Sequence, residues 1–567
     1  MQPATTDPAP GAQLRRPRGL AWPLVVAVVA VLVVAPLAFV VASLVSPSVD
    51  VWRHLWETRL PHMITTTLVL LALVGAGTLV VGTGLAWLVT AFRFPGRTVF
   101  SWLLVLPLAM PGYVLGFVFL SLIGRSGPVQ SSWRDAFGND AWFPEVRSVP
   151  GAAVVLTLVL YPYVYLLARS AFRDTAATCY DVARSLGSSP WNAFRRAVLP
   201  LARPSLAAGL ALVMMETLTD FATVQYFGVE TVSVGIFRVW RGMYDRDAAA
   251  ELAGLVLLFA LAVIVLERAL RGRARYAETG VHGAGFQPIR LRGARAWAAS
   301  AACGVVLMLA FGAPVIRLVQ WALGDDQRHR LDRFVGYLTN SAFLAVVTAA
   351  ICVGVGIALA NALRFSDSRL TRAAARVTVV GYAVPAPVVA IGVLLMIAGI
   401  DSLLDGFGIQ ASAFLVTGSL FAVVYGYAVR FLALGFNSVE ASMEKVPAEI
   451  TMSARTLGAA PRRVLARLHV PLTRAGIATA LTLVAIEAIK ELPIVLLLRP
   501  FGFDTLSVWV WQLASESLFE SAALPALTIV AASLVPVVLL SRQLARGERD
   551  AELVVAHDPD PGRELVG

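Results

Sequence analysis

Apolar residues run in long blocks along most of this chain, and short polar stretches separate them. A helix that crosses a lipid bilayer needs about 20 predominantly apolar residues, and the blocks are long enough to provide them. The pattern therefore predicts an all-α integral membrane protein with about twelve transmembrane helices. The predicted spans are residues 21–45, 63–91, 98–123, 151–170, 203–228, 250–268, 297–322, 336–363, 375–400, 411–433, 474–498 and 521–541.

The composition of the 567 residues agrees with a membrane protein and excludes a string of soluble domains. Hydrophobic residues make up 58% and charged residues only 15%, against about 25% charged residues in soluble domains. Three cysteines and six scattered histidines provide neither a disulfide framework nor the spacing of a metal site. We therefore predict no metal site in this chain.

Positive charge is distributed unevenly among the segments between the blocks. Most of the 47 lysine and arginine residues lie in alternate segments, beginning with the N-terminal one, and the loops between them hold few. Because cytoplasmic loops carry the excess of Lys and Arg, both termini are predicted to be cytoplasmic, in disordered tails at 1–20 and 546–567. The net charge of +11 thus reflects topology and contact with membrane lipid, and we predict no nucleic-acid partner.

The second half of the chain repeats the first at an offset of 271 residues. Each half contains six predicted spans and starts inside, so the two homologous six-helix halves form a parallel repeat about an axis along the membrane normal. The halves are predicted at 21–275 and 297–545, with a cytoplasmic linker at 276–296. The matched features are Ala183 to Gly187 with Ala454 to Gly458, Pro200 with Pro471, Glu216 with Glu487, and Asp220 with Glu491.

The matched loops at 171–202 and 434–473 are the longest inside connections within the halves. Each is predicted to be a helix, a glycine turn and a second amphipathic helix that leads to a proline at the start of the next span. Taken alone, such a segment is a surface helix that rests on lipid headgroups. Two symmetric copies on one face favour a second interpretation, namely two docking sites for a cytoplasmic partner.

Both loops resemble the EAA loop of ABC importer permeases, in which an acidic-Ala-Ala sequence is followed by a glycine and later by a hydrophobic-Pro pair. The resemblance implies that these loops couple the permease to an ATP-hydrolysing subunit. In the second copy Met452 replaces the leading acidic residue, and Glu449, one turn earlier, is the candidate substitute. The implied coupling residues are Asp181, Ala183, Gly187, Leu199, Pro200, Glu449, Ala454, Gly458 and Pro471.

Two permease halves fused in one chain are similar to the ferric-iron type of ABC importer, which the sequences at 215–221, 224–228 and 487–493 also resemble. The resemblance implies a permease in the bacterial plasma (inner) membrane that forms the translocation path. Ferric iron is the substrate that the resemblance favours. It also implies two partners, a cytoplasmic ATP-binding subunit in two copies and an extracytoplasmic substrate-binding protein. Importers of thiamine, polyamine and phosphonate are related and remain alternatives.

This chain has no ATPase motif of its own. A Walker A loop needs a Gly-Lys-Ser/Thr sequence, whereas the two lysines, Lys445 and Lys490, follow Glu444 and Ile489. Nor does any histidine stand in a recognisable nucleophile motif. We therefore predict that the chain is not an enzyme, that it has no catalytic residues and binds no cofactor, and that the partner subunit uses the ATP.

Five charged residues fall within or near predicted spans: Glu216, Asp220, Glu487, Lys490 and Glu491. A charge at the centre of a lipid-facing helix costs about 2.5–3.5 kcal/mol, so these side chains are expected to face protein or water. One interpretation is that they only pair with each other between helices. The other, which we favour, is that they line a translocation path without forming a metal site.

Prolines lie inside two spans at matching places, Pro111 in the third and Pro385 with Pro387 in the ninth. Proline removes a backbone hydrogen bond and bends a helix. Both spans are therefore expected to be kinked helices.

A secondary transporter of the facilitator type is the alternative from another class, since it also has twelve spans in two halves. Such a protein concentrates charge between its second and third spans and between its halves. Here the second-to-third connection is only residues 92–97, and the long patterned loop follows the fourth span. This distribution favours the importer.

Overall fold

The computed structural model describes residues 21–45, 49–174, 177–243, 246–271, 288–324, 331–366, 368–407 and 419–538. Nearly all of these residues are helical, which confirms the prediction of an all-α membrane protein. Both predicted tails and most of the predicted linker lie outside the described residues.

The helices follow the predicted blocks, although several blocks are divided. The first half contains β1 (Phe92–Arg93) and α1 (Ala21–Val45), α2 (Val49–Thr58), α3 (Leu60–Ala91), α4 (Arg97–Leu103), α5 (Gly112–Ile123), α6 (Pro128–Phe137), α7 (Val149–Asp174), α8 (Ala177–Ser185), α9 (Pro190–Ala193), α10 (Leu199–Thr219), α11 (Ala222–Tyr226), α12 (Val232–Met243) and α13 (Arg246–Arg271). The second half contains β2 (Ile289–Arg290) and α14 (Ala294–Leu307), α15 (Ala313–Ala322), α16 (Leu331–Phe365), α17 (Arg369–Thr378), α18 (Val380–Ala383), α19 (Ala386–Gly406), α20 (Leu420–Glu444), α21 (Ala448–Thr456), α22 (Pro461–Val464), α23 (Val470–Leu472), α24 (Arg474–Lys490), α25 (Pro493–Leu498), α26 (Leu506–Ser515) and α27 (Ala523–Val538).

Ten helical segments among the described residues are long and apolar enough to cross a membrane. An eleventh is a bent pair, in which Pro461–Leu472 meets Arg474–Lys490 at 77°. The apolar helix α27 occupies the place of the last predicted span, and its described part is shorter than the others. The predicted number of about twelve spans is therefore close to the structure.

The third and ninth predicted spans are broken at their prolines, and the expectation of kinked helices was wrong. α5 begins directly after Pro111, and α19 begins directly after Pro385. The residue before each proline, Met110 or Val384, has extended backbone, because proline disfavours helical geometry in the residue that precedes it. The first break brings Met110 and Pro111 to a cavity between the halves.

The first helix of each half packs against the other half. α1 contacts α16, α17 and α19, and the ring of Trp22 stacks on that of Phe365 with 6.5 Å between the centroids. Likewise α14 contacts α4, α15 contacts α5, and Trp321 stacks on Phe117. Because of this exchange, each half buries apolar surface that the other half supplies.

Two pairs of long helices, α3 with α7 and α16 with α20, form matching frameworks in the two halves. A matching hydrogen bond holds each framework to the helix after the fifth span of its half, α12 or α26. The amide of Val232 donates to Thr67 Oγ1 over 3.1 Å, and the amide of Leu506 donates to Ser341 Oγ over 2.9 Å. β1 and β2 pair in parallel and tie the end of the linker to the first half.

Candidate functional site

The fifth span of each half ends at an acidic residue. α10 ends at Thr219 and α24 at Lys490, and the next residues, Asp220 and Glu491, have extended backbone. Each carboxylate then accepts a backbone hydrogen bond from the short helix that follows. The Asp220 carboxylate accepts from the amide of Thr223 over 2.8 Å, and that of Glu491 accepts from the amide of Ile494 over 3.2 Å. The two acids therefore satisfy backbone amides in the first turns of α11 and α25, where amides have no partner within the helix.

The structure brings the five predicted path residues together at one cavity between the halves, with a volume of about 130 Å³. The broken third span, the fourth span and the ends of α10 and α24 form its walls. Apolar side chains make up much of the remaining surface. The lining includes Glu216, Asp220, Glu487, Lys490 and Glu491, together with Leu108, Met110, Pro111, Tyr113, Leu156, Val159, Leu160, Tyr163, Thr219 and Arg430.

Arg430 is the functional candidate that the sequence interpretation missed. It is not among the charged residues assigned to the predicted spans, although it falls in the block 411–433, and the structure places it in the middle of α20, only 5% exposed. Its Nε lies 3.3 Å from Glu491 Oε2, its Nη2 lies 3.8 Å from Glu216 Oε1, and its Nη1 donates to the carbonyl of Val384 over 3.2 Å. One guanidinium thus joins carboxylates from both halves.

A second ion pair and a hydroxyl contact complete the polar part of the cavity. Lys490 Nζ donates to Glu487 Oε1 over 2.6 Å. The hydroxyl of Tyr113, in the first half, donates to the carbonyl of Lys490, in the second, over 3.4 Å. Three of the carboxylates, those of Glu216, Glu487 and Glu491, therefore pair with cations and also face the cavity, so the two interpretations of these charges do not exclude each other.

The two cations break the symmetry of the repeat. At an offset of 271, Arg430 corresponds to Val159 and Lys490 to Thr219, and all four residues line the cavity. The four acids Glu216, Asp220, Glu487 and Glu491 outnumber the two cations. Among the described residues no group of three or more His, Cys, Asp or Glu side chains is arranged to hold a metal ion.

The two predicted coupling loops are helix–turn–helix segments in the structure. α8 and α21 each end in a glycine turn, at Gly187 with φ of 86° and at Gly458 with φ of 81°. Only glycine adopts this left-handed backbone without strain. A π-helical turn then leads into the next span in both copies, at Phe194–Val198 and Leu465–His469.

Both predicted coupling loops expose apolar and acidic side chains. Leu186 and Leu457, which match at the same offset, are 81% and 87% exposed. Asp181 on α8 and Glu449 on α21 are exposed as well. The exposure of Leu186 and Leu457 at matching places agrees with the predicted docking of a partner at both loops.

Comparison with known proteins gives concordant results. A family described as "Binding-protein-dependent transport system inner membrane component" matches residues 78–275. The Fe(3+)-transport system permease protein FbpB 2 of Haemophilus influenzae is 25% identical over 86% of this chain and 91% of its own length. The sulfate transport system permease protein CysW of Escherichia coli is 30% identical over 40% of this chain and 78% of its own length. The molybdenum transport system permease protein ModB of Azotobacter vinelandii is 30% identical over 37% of this chain and 94% of its own length.

Proposed function

We propose that this chain, which belongs to the family of binding-protein-dependent transport system inner membrane components, forms the translocation path of an importer for ferric iron. It is a multi-pass permease of the inner membrane. Permeases of this family work with an ATP-hydrolysing subunit and a substrate-binding protein. The substrate and the path are what we propose beyond the family.

The excess of carboxylates in the cavity between the halves carries the proposal. Four acids face two cations, and each cation already has an acid within ion-pair distance. The effective dielectric constant inside a protein is lower than that of bulk water, so a charge imbalance acts more strongly in the cavity than in bulk solvent. A negatively charged cavity attracts a metal cation and repels an oxyanion such as sulfate or molybdate.

The kind of ligand agrees with a hard cation. Carboxylate, hydroxyl and carbonyl oxygens are the ligands that hard metal ions prefer, and Glu216, Asp220, Glu487 and Glu491 provide carboxylates from both halves. Asp220 and Glu491 each use one or both oxygens to cap a helix. We propose that the cavity lets the ion pass without holding it in a tight coordination site.

The coupling loops transmit the effect of ATP binding to the membrane spans. We propose that one copy of the ATP-binding subunit docks on α8 and a second on α21, with the exposed leucines Leu186 and Leu457 in the contacts. ATP binding draws the two copies together, and their movement reaches the spans through the loops at 171–202 and 434–473. The binding protein delivers the substrate to the opposite face, and both termini of the permease are cytoplasmic.

The substrate is tested by uptake into liposomes that contain the permease purified together with its ATP-hydrolysing subunit. Ferric iron, sulfate, molybdate, thiamine, a polyamine and a phosphonate are offered in parallel, each with the binding protein and with or without ATP inside. We expect ATP-dependent accumulation of ferric iron alone. Accumulation of sulfate or molybdate would contradict the charge argument, and uptake driven by a proton gradient without ATP would favour the facilitator alternative.

A further inference from the structure

The second span of each half is a long rod that reaches the coupling loop at its inner end. In the first half the rod is α3, and aromatic rings join it to the coupling loop. The ring centroid of Trp87 lies 5.3 Å from that of Tyr180 on α8 and 4.5 Å from that of Phe194. Phe172 of α7 completes this cluster, 5.7 Å from Trp87.

None of these rings is present at the matching places of the second half. At the offset of 271, Ala358, Met443, Thr451 and Leu465 replace Trp87, Phe172, Tyr180 and Phe194. A buried polar network stands there instead, and it consists of four side chains that we call the polar joint. The polar joint is Asn361 and Arg364 of α16, Thr451 of α21, and His469 of the π-helical turn before α23.

The hydrogen bonds of the polar joint have one consistent direction. Arg364 Nε donates to Thr451 Oγ1 over 3.2 Å. Thr451 Oγ1 lies 3.0 Å from His469 Nε2, and His469 Nδ1 lies 3.1 Å from Asn361 Oδ1. Because the amide oxygen of Asn361 can only accept, His469 Nδ1 donates to it, and in the neutral imidazole Nε2 then accepts from the Thr451 hydroxyl. The network therefore selects one neutral tautomer of His469.

Arg364 also holds the chain that enters the coupling helix. Its Nη1 donates to the carbonyl of Met443 over 2.9 Å, and its Nη2 donates to the carbonyls of Val446 and Pro447 over 2.6 and 2.9 Å. The matching Arg93 of the first half is exposed. α16 thus holds the segment before α21 through Arg364, and Arg364 also contacts α21 itself at Thr451.

The polar joint is buried, so a displacement of α21 relative to α16 would disrupt it. His469 and Asn361 are 0% exposed and Thr451 is 6% exposed. A displacement of α21 relative to α16 would leave buried donors and acceptors without partners and without access to water, which costs free energy. Aromatic contacts such as those of Trp87 are less directional. The polar joint therefore favours movement of α21 and α16 as one body.

We propose that the polar joint transmits the movement of the second coupling helix to α16, and that His469 is the positioning residue at its centre. The proposal rests on the proposed function, since it takes α21 as a docking site for an ATP-binding subunit. It adds that the two coupling helices are attached to their spans by chemically different means, so the two docked subunits act through non-equivalent joints.

The test compares three variants of the intact importer, purified with its ATP-hydrolysing subunit and placed in liposomes. His469→Val introduces the residue type that the first half has at the matching position, Val198, and removes the centre of the polar joint. His469→Gln keeps one donor and one acceptor at the end of the side chain. Thr473→Val is the matched control, because the Thr473 hydroxyl is buried nearby but donates only to the carbonyl of His469 in its own turn, over 2.7 Å.

The readouts are the stimulation of ATP hydrolysis by the substrate-loaded binding protein, the number of ATP molecules used per substrate transported, the melting temperature, and the amount of ATP-hydrolysing subunit retained. We expect His469→Val to lower the stimulation by about fivefold or more, in the range of typical coupling between sites, while subunit retention and melting match those of Thr473→Val. His469→Gln should recover most of the stimulation.

Two results would overturn the polar joint as a transmission device. One is stimulation in His469→Val equal to that in Thr473→Val. The other is a loss in His469→Val and His469→Gln alike that parallels a fall in melting temperature, which marks a merely structural role. Measurements on the wild-type complex distinguish a failure of this proposal from a failure of the proposed substrate. Transport of an oxyanion would overturn ferric iron as the substrate and leave the coupling readout intact. A wild-type chain without an ATP-hydrolysing partner would overturn both proposals.

Discussion

Replacement of Arg430 by methionine tests the charge arrangement in the cavity. Methionine keeps much of the length of the side chain and removes the guanidinium. Arg430 is 5% and Glu491 7% exposed, and Nε lies 3.3 Å from the Glu491 carboxylate. Breaking a buried ion pair by removing one partner costs about 3–5 kcal/mol, because the remaining charge is left buried and uncompensated.

The contact with Glu216 adds little to this figure. The distance is 3.8 Å, and the Glu216 side chain is 31% exposed, so its share is that of a partly exposed pair, about 1 kcal/mol or less. We therefore expect Arg430→Met to lower the free energy of unfolding by about 3–5 kcal/mol, mainly through Glu491.

A double variant makes this prediction specific. Replacing both members of a buried pair is often close to neutral, so Arg430→Met combined with Glu491→Gln should be more stable than Arg430→Met alone. The free energy of unfolding of all four proteins is measured by titration with sodium dodecyl sulfate in mixed micelles. Strict additivity of the two single changes would refute the ion pair, as would an Arg430→Met protein as stable as the wild type.

Three further predictions concern the coupling loops, the path and the packing of the halves. Gly187→Val and Gly458→Val together place a branched side chain at a left-handed backbone position, at a cost of about 1–2 kcal/mol per site, and should uncouple ATP hydrolysis from uptake; normal uptake would count against the coupling role. Glu216→Gln with Glu487→Gln removes two of the four acids and should lower iron uptake and coupled ATP hydrolysis about tenfold, equivalent to about 1.4 kcal/mol; unchanged rates in a normally expressed variant would show that these acids do not line the path. Gly392→Leu sets a Cβ against the carbonyl oxygen of Pro36 in α1, and this overpacking should destabilise the chain by about 1–3 kcal/mol and lower the yield of folded protein; a wild-type yield would mean that α1 does not pack there.

Gly336→Leu is the matched control for the packing variant. A Cβ at Gly336 meets nothing within 4 Å, so this substitution adds the same side chain on a long helix without a clash. Its yield should equal that of the wild type. A fall equal to that of Gly392→Leu would point to a general effect of leucine at helical glycines.

The sequence predicts well those features that depend on local patterns. Apolar blocks predict membrane helices, and the repeated glycines predict the turns at Gly187 and Gly458 because only glycine suits that backbone. The acids at 216, 220, 487 and 491 stand out because charge is expensive inside a membrane. Their meeting at one cavity between the halves follows from the parallel repeat, which places matching residues across an axis.

Features that depend on tertiary packing are not visible in the sequence. Arg430 lies near the inner end of the predicted block 411–433, yet α20 continues to Glu444, so the residue sits in mid-helix. Hydropathy finds the end of an apolar block, and a helix ends where its backbone hydrogen bonds end. The packing of each first helix against the other half likewise depends on contacts between distant segments.

The most direct measurement is purification of the chain from its native membrane in mild detergent, with the bound subunits counted and ATP hydrolysis assayed. If both loops are docking sites, as we propose, two copies of a Walker-bearing subunit are expected per chain, with hydrolysis that the substrate-loaded binding protein stimulates. A chain that purifies alone, hydrolyses no ATP and moves solute down a proton gradient in liposomes would contradict the importer and leave the resemblance of the two loops without a function.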